Sequence, residues 1–247
     1  MDASCRAALA LGLRSIAFTE HADFVEGVHE GLHPLDVKAY LEELERCRAA
    51  YPDLRVMSGV ELGEPHCFRE RTADVLARGR PERVLGSVHC ARWAGRLRDA
   101  SQLRSLPDAD APGFVRAYFE EGVRLVESDA PFEILTHLDY PKRYWPHDRL
   151  PYRERDFEEL YRAVLRGLAA RGSALEVNTT RGIDPRLGLC PGPDVLGWWV
   201  EAGGRAVSFG SDAHDPTAIA GGFREAAAMV EAAGFRPNDD VTGLWLR

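Results

Sequence analysis

The stretch Arg55-Val56-Met57-Ser58-Gly59-Val60-Glu61 sets the pattern from which the fold of this chain can be predicted. It is a short apolar run with β-branched residues, typical of a buried strand, and it ends in a carboxylate. The small residues Ser58 and Gly59 leave room close to that end. Amphipathic stretches flank the run on both sides, so residues 55–61 are interpreted as a strand between two helices.

The same alternation continues toward both ends of the chain. The other predicted strands are Ser15–Thr19, Arg83–His89, Glu133–His137, Ala174–Asn178 and Arg205–Ser211. The predicted helices between and after them are Leu35–Ala50, Pro65–Arg78, Pro112–Ser128, Glu154–Arg171, Gly192–Ala202 and Pro216–Ala233. Six strand–helix repeats without a long linker predict an α/β fold with a parallel sheet, either a barrel or a wound sheet. We expect one domain over residues 1–247.

The first predicted element departs from this pattern. Residues Ser4–Leu11 have a helical pattern, and Gly12 is placed as a C-terminal cap. A helix at this position should cross over from a preceding strand, and the sequence offers none before it. We therefore expect an N-terminally incomplete barrel whose open strand edges favour association, although the oligomeric state cannot be read from the sequence.

Composition narrows the possible partners and the compartment. The chain has 247 residues, 45% hydrophobic residues and a net charge of −8, which argues against broad nucleic-acid binding but allows a small anionic substrate. Its five cysteines are odd in number and lack Cys-x-x-Cys spacing, which favours a reducing cytoplasm. No stretch approaches the ~20 apolar residues of a membrane span, and no secretory signal is recognised at the start.

Acidic residues and histidines cluster at the carboxyl ends of the predicted strands. They are Glu20-His21-Ala22-Asp23, Glu61, His89, His137-Leu138-Asp139 and Asp212-Ala213-His214, and the remaining strand ends in Glu176-Val177-Asn178. In parallel α/β folds this edge carries the active site. Asp212 and His214 are two residues apart, so both side chains point the same way in an extended chain. Nitrogen and oxygen donors in such a cluster predict a centre for divalent metal ions.

Five of these motifs occur in an order that resembles a known family. They are Ile16-Ala17-Phe18-Thr19-Glu20-His21, Gly59-Val60-Glu61, Gly86-Ser87-Val88-His89, Thr136-His137-Leu138-Asp139 and Gly210-Ser211-Asp212-Ala213-His214. From about Cys5 to Gly234 the chain resembles the polymerase and histidinol phosphatase (PHP) superfamily, and most closely its histidinol-phosphate phosphatase branch. The resemblance implies a distorted TIM-like barrel of seven βα units. It also implies two or three zinc, manganese or iron ions that hydrolyse phosphate monoesters.

The resemblance assigns a role to each strand-end residue. Glu61 would bridge two metal ions, and His89 and His137 would complete one of these sites. Asp212 would help to hold the second ion, and His21 and His214 would hold a third. The family pattern opens with a His-x-His and a nearby Asp, which this sequence lacks. We therefore expect the Glu61 site to keep its ligands and the other two sites to be depleted, which leaves turnover by this chain open.

The expected chemistry is hydrolysis of a small phosphorylated substrate, with histidinol phosphate as the first candidate. A hydroxide held between metal ions beside Glu61 would attack the phosphorus atom. His21 or His214 would protonate the leaving alkoxide if it is not bound to metal. Arg143 and Arg181 follow two strand ends on loops, and a guanidinium fork suits phosphate oxygens. Both are predicted to bind substrate.

Two other functions remain open at this point. His89-Cys90 followed by Arg96 matches the His-Cys-x5-Arg pattern of cysteine-dependent phosphatases, in which a backbone loop cradles phosphate beside a thiolate. The bulky Trp93 inside that loop argues against the cradle. A chain without its first strand could also be a non-catalytic barrel that binds a phosphorylated ligand through a partial metal site.

Overall fold

In the computed structural model, which describes residues 1–28, 35–179, 186–240 and 243–247, helices and strands alternate along most of the chain. The α-helices are α1 Asp2–Ala10, α2 Val37–Ala50, α3 Arg69–Gly79, α4 Ala111–Glu127, α5 Glu158–Arg171, α6 Pro193–Glu201 and α7 Phe223–Ala232. The strands are β1 Ser15–Ala22, β2 Arg55–Gly63, β3 Arg83–Ser87, β4 Cys90–Trp93, β5 Arg96–Asp99, β6 Ile134–Leu135, β7 Ala174–Asn178, β8 Ala206–Gly210 and β9 Trp245–Leu246.

Seven of the strands form one curled sheet with the order β1-β2-β3-β6-β7-β8-β9. All neighbours are parallel except β8 and β9, which are antiparallel. The crossover between each pair of parallel neighbours carries at least one helix, as a parallel sheet requires. The predicted α/β class and the distorted barrel are confirmed.

The predicted elements are correct in kind and shorter than expected at two strand ends. Ala174–Asn178 forms β7 as predicted, whereas β3 ends at Ser87 and β6 consists of Ile134–Leu135 alone. His137 has a φ of +26°, which strand geometry does not allow, so the strand cannot continue through it. The predicted helix from Pro216 is replaced by a 3₁₀ turn and α7, because Ala220 and Gly222 between them have positive φ.

The first helix ends as its sequence predicts. Gly12 has a φ of +74°, and the backbone N–H of Leu13 donates to the carbonyl of Ala8 at 3.0 Å, which closes the end of α1. Among the described strands β1 pairs with β2 alone, so its second edge is unpaired. The predicted helix Ser4–Leu11 is observed as α1, which begins and ends slightly earlier, at Asp2 and Ala10.

The main hydrophobic core packs α4, α5 and α6 onto one face of the sheet. In α4 the apolar residues recur at steps of three and four, so Phe114, Tyr118 and Leu125 face inward together. Phe119 of α4 stacks on Tyr161 of α5 with ring centroids 4.4 Å apart. Each such buried side chain contributes about 1.5–3 kcal/mol. A smaller cluster packs α1 and α2 together and against Val56 of β2.

A cavity of about 910 Å³ lies along the inner face of the sheet and is lined by residues of both β1 and β8. Apolar side chains such as Phe18, Leu85 and Phe209 form part of its wall. Polar strand-end side chains also line it, namely His21, Glu61, Glu176, Asp212 and His214. Within the described part of the chain, no helix is both long enough and apolar enough to cross a membrane.

Candidate metal centre

The carboxyl ends of five strands bring the predicted metal-binding residues to one edge of the sheet. His21 lies in β1 and is paired in register with Glu61 of β2. His89 and His137 follow β3 and β6 by two residues each, and Asp212 follows β8 by the same step. Parallel strands end on the same side, so residues far apart in sequence meet there. The predicted clustering at one edge is observed.

Glu61 stands at the middle of the cluster. Its Oε1 atom lies 2.9 Å from Nε2 of His89 and 2.8 Å from Nε2 of His137. All three side chains are almost fully buried. His21, Glu61 and His89 each offer one ligand atom within 4.8 Å of the others. Two imidazoles and one carboxylate therefore converge on a common point, with a third imidazole beside it.

The charges of the buried groups support one another. Burial opposes ionisation of Glu61, but the neighbouring His21 and His137 and the hydrogen bonds from His137 and His89 hold its pKa well below its usual value. Burial likewise disfavours a charged His89, yet Asp23 and Glu61 raise its pKa well above its usual value. A buried carboxylate that attracts positive charge this strongly suits a cation, which would replace the imidazole protons.

The donor set fits a divalent metal ion. Around zinc, with bonds of about 2.0–2.1 Å, nitrogen and oxygen ligands stand roughly 3.3 Å apart. The observed separations of 2.8 and 2.9 Å from Glu61 require an opening of only about half an ångström on this estimate. In addition, the buried Nδ1 atom of His137 has no hydrogen-bond partner among the described residues. Imidazole and carboxylate ligands suit zinc, manganese and iron alike.

Asp212 and His214 form the outer side of the centre. The ring of His214 lies 5.7 Å from that of His21, and its Nδ1 is 3.0 Å from the carbonyl oxygen of Asp212. The Asp212 carboxylate binds the guanidinium of Arg143 at 2.6 Å, and Arg143 also donates to Oδ1 of Asn178 at 3.0 Å. Burial works against the charge on Asp212, but Arg143 lowers the pKa of this carboxyl. Arg143 thus contacts a predicted metal ligand.

Backbone strain is concentrated at this edge. His137 and Asp212 have φ values of +26° and +50°, and Glu64, which follows β2, has +45°. Such conformations cost about 1–3 kcal/mol each for residues other than glycine and persist where the surroundings hold them. The N–H of His137 donates to Oε2 of Glu176 at 2.9 Å. Glu64 in turn accepts the N–H groups of His89 and Cys90 at 2.5 and 2.8 Å.

Four residues that surround the candidate ligands had no role there in the sequence-based prediction. Asp23 contacts two imidazoles, Glu64 and Glu176 hold backbone N–H groups, and the ring of Tyr140 lies 4.8 Å from His137 and 5.2 Å from His89. Asp23 and Glu176 belong to the strand-end clusters, so their position in the sequence was the one indication that they lie beside the candidate ligands. Glu64 lies three residues past Glu61 with no local pattern that marks it.

The cysteine-phosphatase cradle is not formed. Residues 90–93 and 96–99 are the two strands of an antiparallel hairpin, in which Cys90 pairs with Asp99 and Trp93 with Arg96. Cys90 is fully buried, and burial raises the pKa of its thiol far above the usual range. The predicted substrate residue Arg181 lies outside the described residues, so its role stays a prediction.

A second group of potential ligands lies away from this edge. His66, Cys67 and Glu121 offer donor atoms within 4.8 Å of one another. The fully buried Glu121 already pairs with Arg92 at 3.0 Å and with Arg124 at 2.9 Å. Two guanidinium groups beside the only acid of the group repel a further cation. This group therefore serves as an ion-pair cluster between α4 and the segment before α3.

The chain is similar in sequence to histidinol-phosphatases of two bacteria. The chain is 25% identical to a histidinol-phosphatase of Lactococcus lactis over 96% of this chain and 86% of that protein. A probable histidinol-phosphatase of Clostridium acetobutylicum is also 25% identical, over 90% of this chain and 83% of its own length.

A crystal structure gives the same fold. The histidinol phosphate phosphatase of Lactococcus lactis, solved with zinc, L-histidinol and phosphate, matches 95% of this chain and 87% of its own with a TM-score of 0.78 and 24% identity. The model of the PHP domain family matches residues 1–180, well over half of the sequence. This chain therefore belongs to the PHP domain family.

Proposed function

We propose that this protein is a metal-dependent phosphatase of small phosphate monoesters, with L-histidinol phosphate as its first candidate substrate. The observation that carries the proposal is the convergence of His89 and His137 on one oxygen of Glu61, with His21 beside them. The similarity to histidinol-phosphatases over nearly the whole chain supports the choice of substrate.

In such a reaction, different residues of the chain would bind the metal ions and donate the proton. Glu61, His89 and His137 would hold one metal ion, and Asp212, His21 and His214 would serve further ions, up to the three of the family. A bound divalent ion makes water a stronger nucleophile at neutral pH and neutralises charge on phosphoryl oxygens. Either His21 or His214, if it is not bound to metal, would donate a proton to the leaving alkoxide, and the His214 side chain is 44% exposed at the cavity.

Arg143 is the described candidate for phosphate binding. Its guanidinium, 10% exposed, lies between Asp212 and Asn178. To bind a phosphoryl group it must exchange the Asp212 carboxylate for phosphate oxygens, which a metal ion on Asp212 would favour. Arg181, which follows β7 in the sequence and lies outside the described residues, would contribute a second guanidinium to phosphate binding. The odd number and the spacing of the five cysteines underlie our further proposal of a cytoplasmic location.

The experiment compares phosphate release from L-histidinol phosphate and from other small monoesters by zinc-loaded, manganese-loaded and chelator-treated protein. We expect turnover in the metal-loaded forms, its loss after chelation, and its loss in Glu61→Gln. Cys90→Ser should keep its activity, because the buried thiol takes no part. Tight zinc binding without turnover of any monoester would contradict the proposal and favour the alternative, a barrel that binds a phosphorylated ligand.

A further inference from the structure

We infer that Asp23 is the positioning residue of the metal centre: one carboxylate that holds two of the ligand imidazoles and directs their Nε2 atoms toward the metal ions of the centre. This inference rests on the proposed function only in taking His21 and His89 as metal ligands. The family resemblance assigns no role to Asp23, and the residue is absent from the predicted ligand set.

The contacts of Asp23 are divided between its two oxygens. Oδ1 lies 2.7 Å from Nδ1 of His89, and Oδ2 lies 3.2 Å from Nδ1 of His21. The carboxylate is only 10% exposed, and the His89 ring is 1% exposed. The rings of His21 and His89 are 5.6 Å apart, so a single carboxylate is wide enough to serve both. The contact to His89 is the shorter one.

The chemistry of the carboxylate fixes the imidazole tautomer. An ionised carboxylate can only accept hydrogen bonds, so the Nδ1 atom of His89, hydrogen-bonded to Oδ1 at 2.7 Å, carries a proton. The Nδ1 atom of His21 lies at ion-pair distance from Oδ2, and we infer the same arrangement for it. Such a ring can give up only its Nε2 proton, so Nε2 is the atom that becomes available to a metal ion. In His89 that atom points to Glu61, 2.9 Å from its Oε1. Asp23 and Glu61 therefore contact opposite nitrogen atoms of one ring.

The backbone provides a site for this carboxylate at Gly63. Asp23 follows β1, whereas His89 follows β3, and β2 runs between these strands. A Cβ atom added to Gly63, the last residue of β2, would lie 2.3 Å from Oδ1 of Asp23. Asp23 thus reaches across the end of β2 where no side chain blocks it. Replacement of Gly63 would displace the carboxylate without changing its chemistry.

The variant Asp23→Asn keeps the shape of the side chain but should bind metal more weakly, because an amide has a hydrogen-bond donor where the carboxylate has an acceptor. In Asp23→Asn one oxygen can still accept a hydrogen bond, but the other position becomes an NH₂ group. An NH₂ group facing Nδ1 favours the tautomer with the proton on Nε2. In that tautomer Nε2 has no lone pair to offer a metal ion. One of the two imidazoles is therefore lost as a well-oriented ligand. Loss of outer contacts of this kind costs about 10–100-fold in metal affinity.

The test measures zinc affinity of the purified full-length protein by competition with a chromophoric chelator, without any turnover. We expect Asp23→Asn, Asp23→Ala and Gly63→Ala to bind zinc about 10–100-fold more weakly than the unmodified protein. Asp108→Asn, which removes the same charge from a surface ion pair with Arg149, should stay within about twofold. Circular dichroism of each variant checks that it is folded.

A spectroscopic readout separates orientation from general damage. In zinc-loaded protein with ¹⁵N-labelled histidine, we expect His21 and His89 to carry their ring protons on Nδ1, and one of them to change in Asp23→Asn. Equal zinc affinity in the unmodified protein and Asp23→Asn, or unchanged tautomers, would overturn the inference. Tight zinc binding that depends on Asp23 in a protein without turnover would uphold it while contradicting the proposed phosphatase.

Discussion

At the level of single residues, each central histidine is supported by a carboxylate that contacts its backbone. Glu64 accepts a hydrogen bond from the N–H of His89, and Glu176 accepts one from the N–H of His137. Glu176 also accepts a hydrogen bond from Nδ2 of Asn178 at 3.0 Å. Both acids are buried, and burial raises the pKa of Glu64 to about 7. These contacts hold strained backbone that strand pairing alone would not fix.

Gly210→Ala tests the support of His137. A Cβ atom at this position would lie 1.9 Å from Oε1 of Glu176, so the carboxylate must move away from the His137 N–H. We expect the free energy of unfolding to fall by about 1–3 kcal/mol from overpacking. We also expect phosphate release to slow by about 10–100-fold as the ligand loses its orientation. Urea unfolding and phosphate-release assays measure the two effects.

Gly197→Ala is the matched control for this substitution. Gly197 lies inside α6, and apart from its chain neighbours and the backbone of its own helix no heavy atom of the described residues lies within 4 Å of an added Cβ. Alanine is favoured over glycine in a helix, so this variant should gain about 0.5–1 kcal/mol and keep its activity. If Gly210→Ala matched Gly197→Ala in both assays, the support of His137 by Glu176 would be refuted.

The clustering of the candidate ligands was predictable from the sequence, and the contacts of their supporting groups largely were not. His89 and His137 follow apolar runs, and that local pattern marks a strand end. Glu64 accepts the backbone N–H of His89, which lies 25 positions further along the chain. This contact depends on how β2 and β3 pair rather than on any local pattern. The link between Arg143 and Asp212 has the same origin, because it joins the loops after β6 and β8.

At the level of elements, Glu82 ties α2 and β2 to the start of β3. It pairs with Arg48 of α2 and, at 2.5 Å, with Arg55 of β2. One carboxylate oxygen accepts the N–H of Ser58 at 3.0 Å, and the N–H of Glu82 donates to the Ser58 hydroxyl at 3.0 Å. Burial opposes its charge, but Ser58 and the two arginines lower the pKa of Glu82.

Glu82→Gln should destabilise the protein in a pH-dependent manner. The folded-state pKa of Glu82 is lowered, so its ionised form contributes stability above pH 4.5, the value of the unfolded chain. That contribution is lost as the pH falls through the lower folded-state value. At pH 7 we expect the variant to be about 1–2 kcal/mol less stable, since hydrogen bonds to a charged group are lost at a partly exposed site.

Urea unfolding at pH 7, 5.5 and 4 measures this dependence. The difference in the free energy of unfolding between Glu82→Gln and the unmodified protein should be the same at pH 7 and 5.5 and should become smaller at pH 4. A difference that grew on acidification would contradict the assigned direction of the pKa shift. Glu159→Gln, which removes a carboxylate paired with the exposed Arg116, should change stability by less than about 0.5 kcal/mol at every pH.

The sequence predicted the elements that depend on periodicity and missed those that depend on long-range pairing. Apolar spacing is enough to find α4 and β7, which agree with prediction to within one residue at each end. The hairpin β4–β5 was not predicted, because its eight residues lack an apolar alternation and include three arginines. The two-residue β9 is defined by its pairing with β8 rather than by its own sequence.

At the level of the whole molecule, the candidate centre links distant parts of the chain. Its candidate ligands come from the ends of β1, β2, β3, β6 and β8, which extend from the β1 edge of the sheet to the strand next to β9. Among the described strands β1 and β8 are not paired, and residues of both line the cavity. A metal ion bound by ligands from several of these strands would therefore stabilise the folded state by crosslinking them.

Removal of the metal should consequently lower the stability of the whole protein. A ligand that binds only the folded state and is present at 100 times its dissociation constant adds about 2.7 kcal/mol, so chelation should reduce the free energy of unfolding by this order. Urea unfolding with excess zinc and with chelator measures the change. Glu61→Gln, which loses the central carboxylate, should show nearly the same midpoint in both conditions, and zinc should restore the unmodified protein after chelation. Coincident midpoints for the unmodified protein with and without zinc would show that the strand-end residues do not hold a metal ion that stabilises the fold.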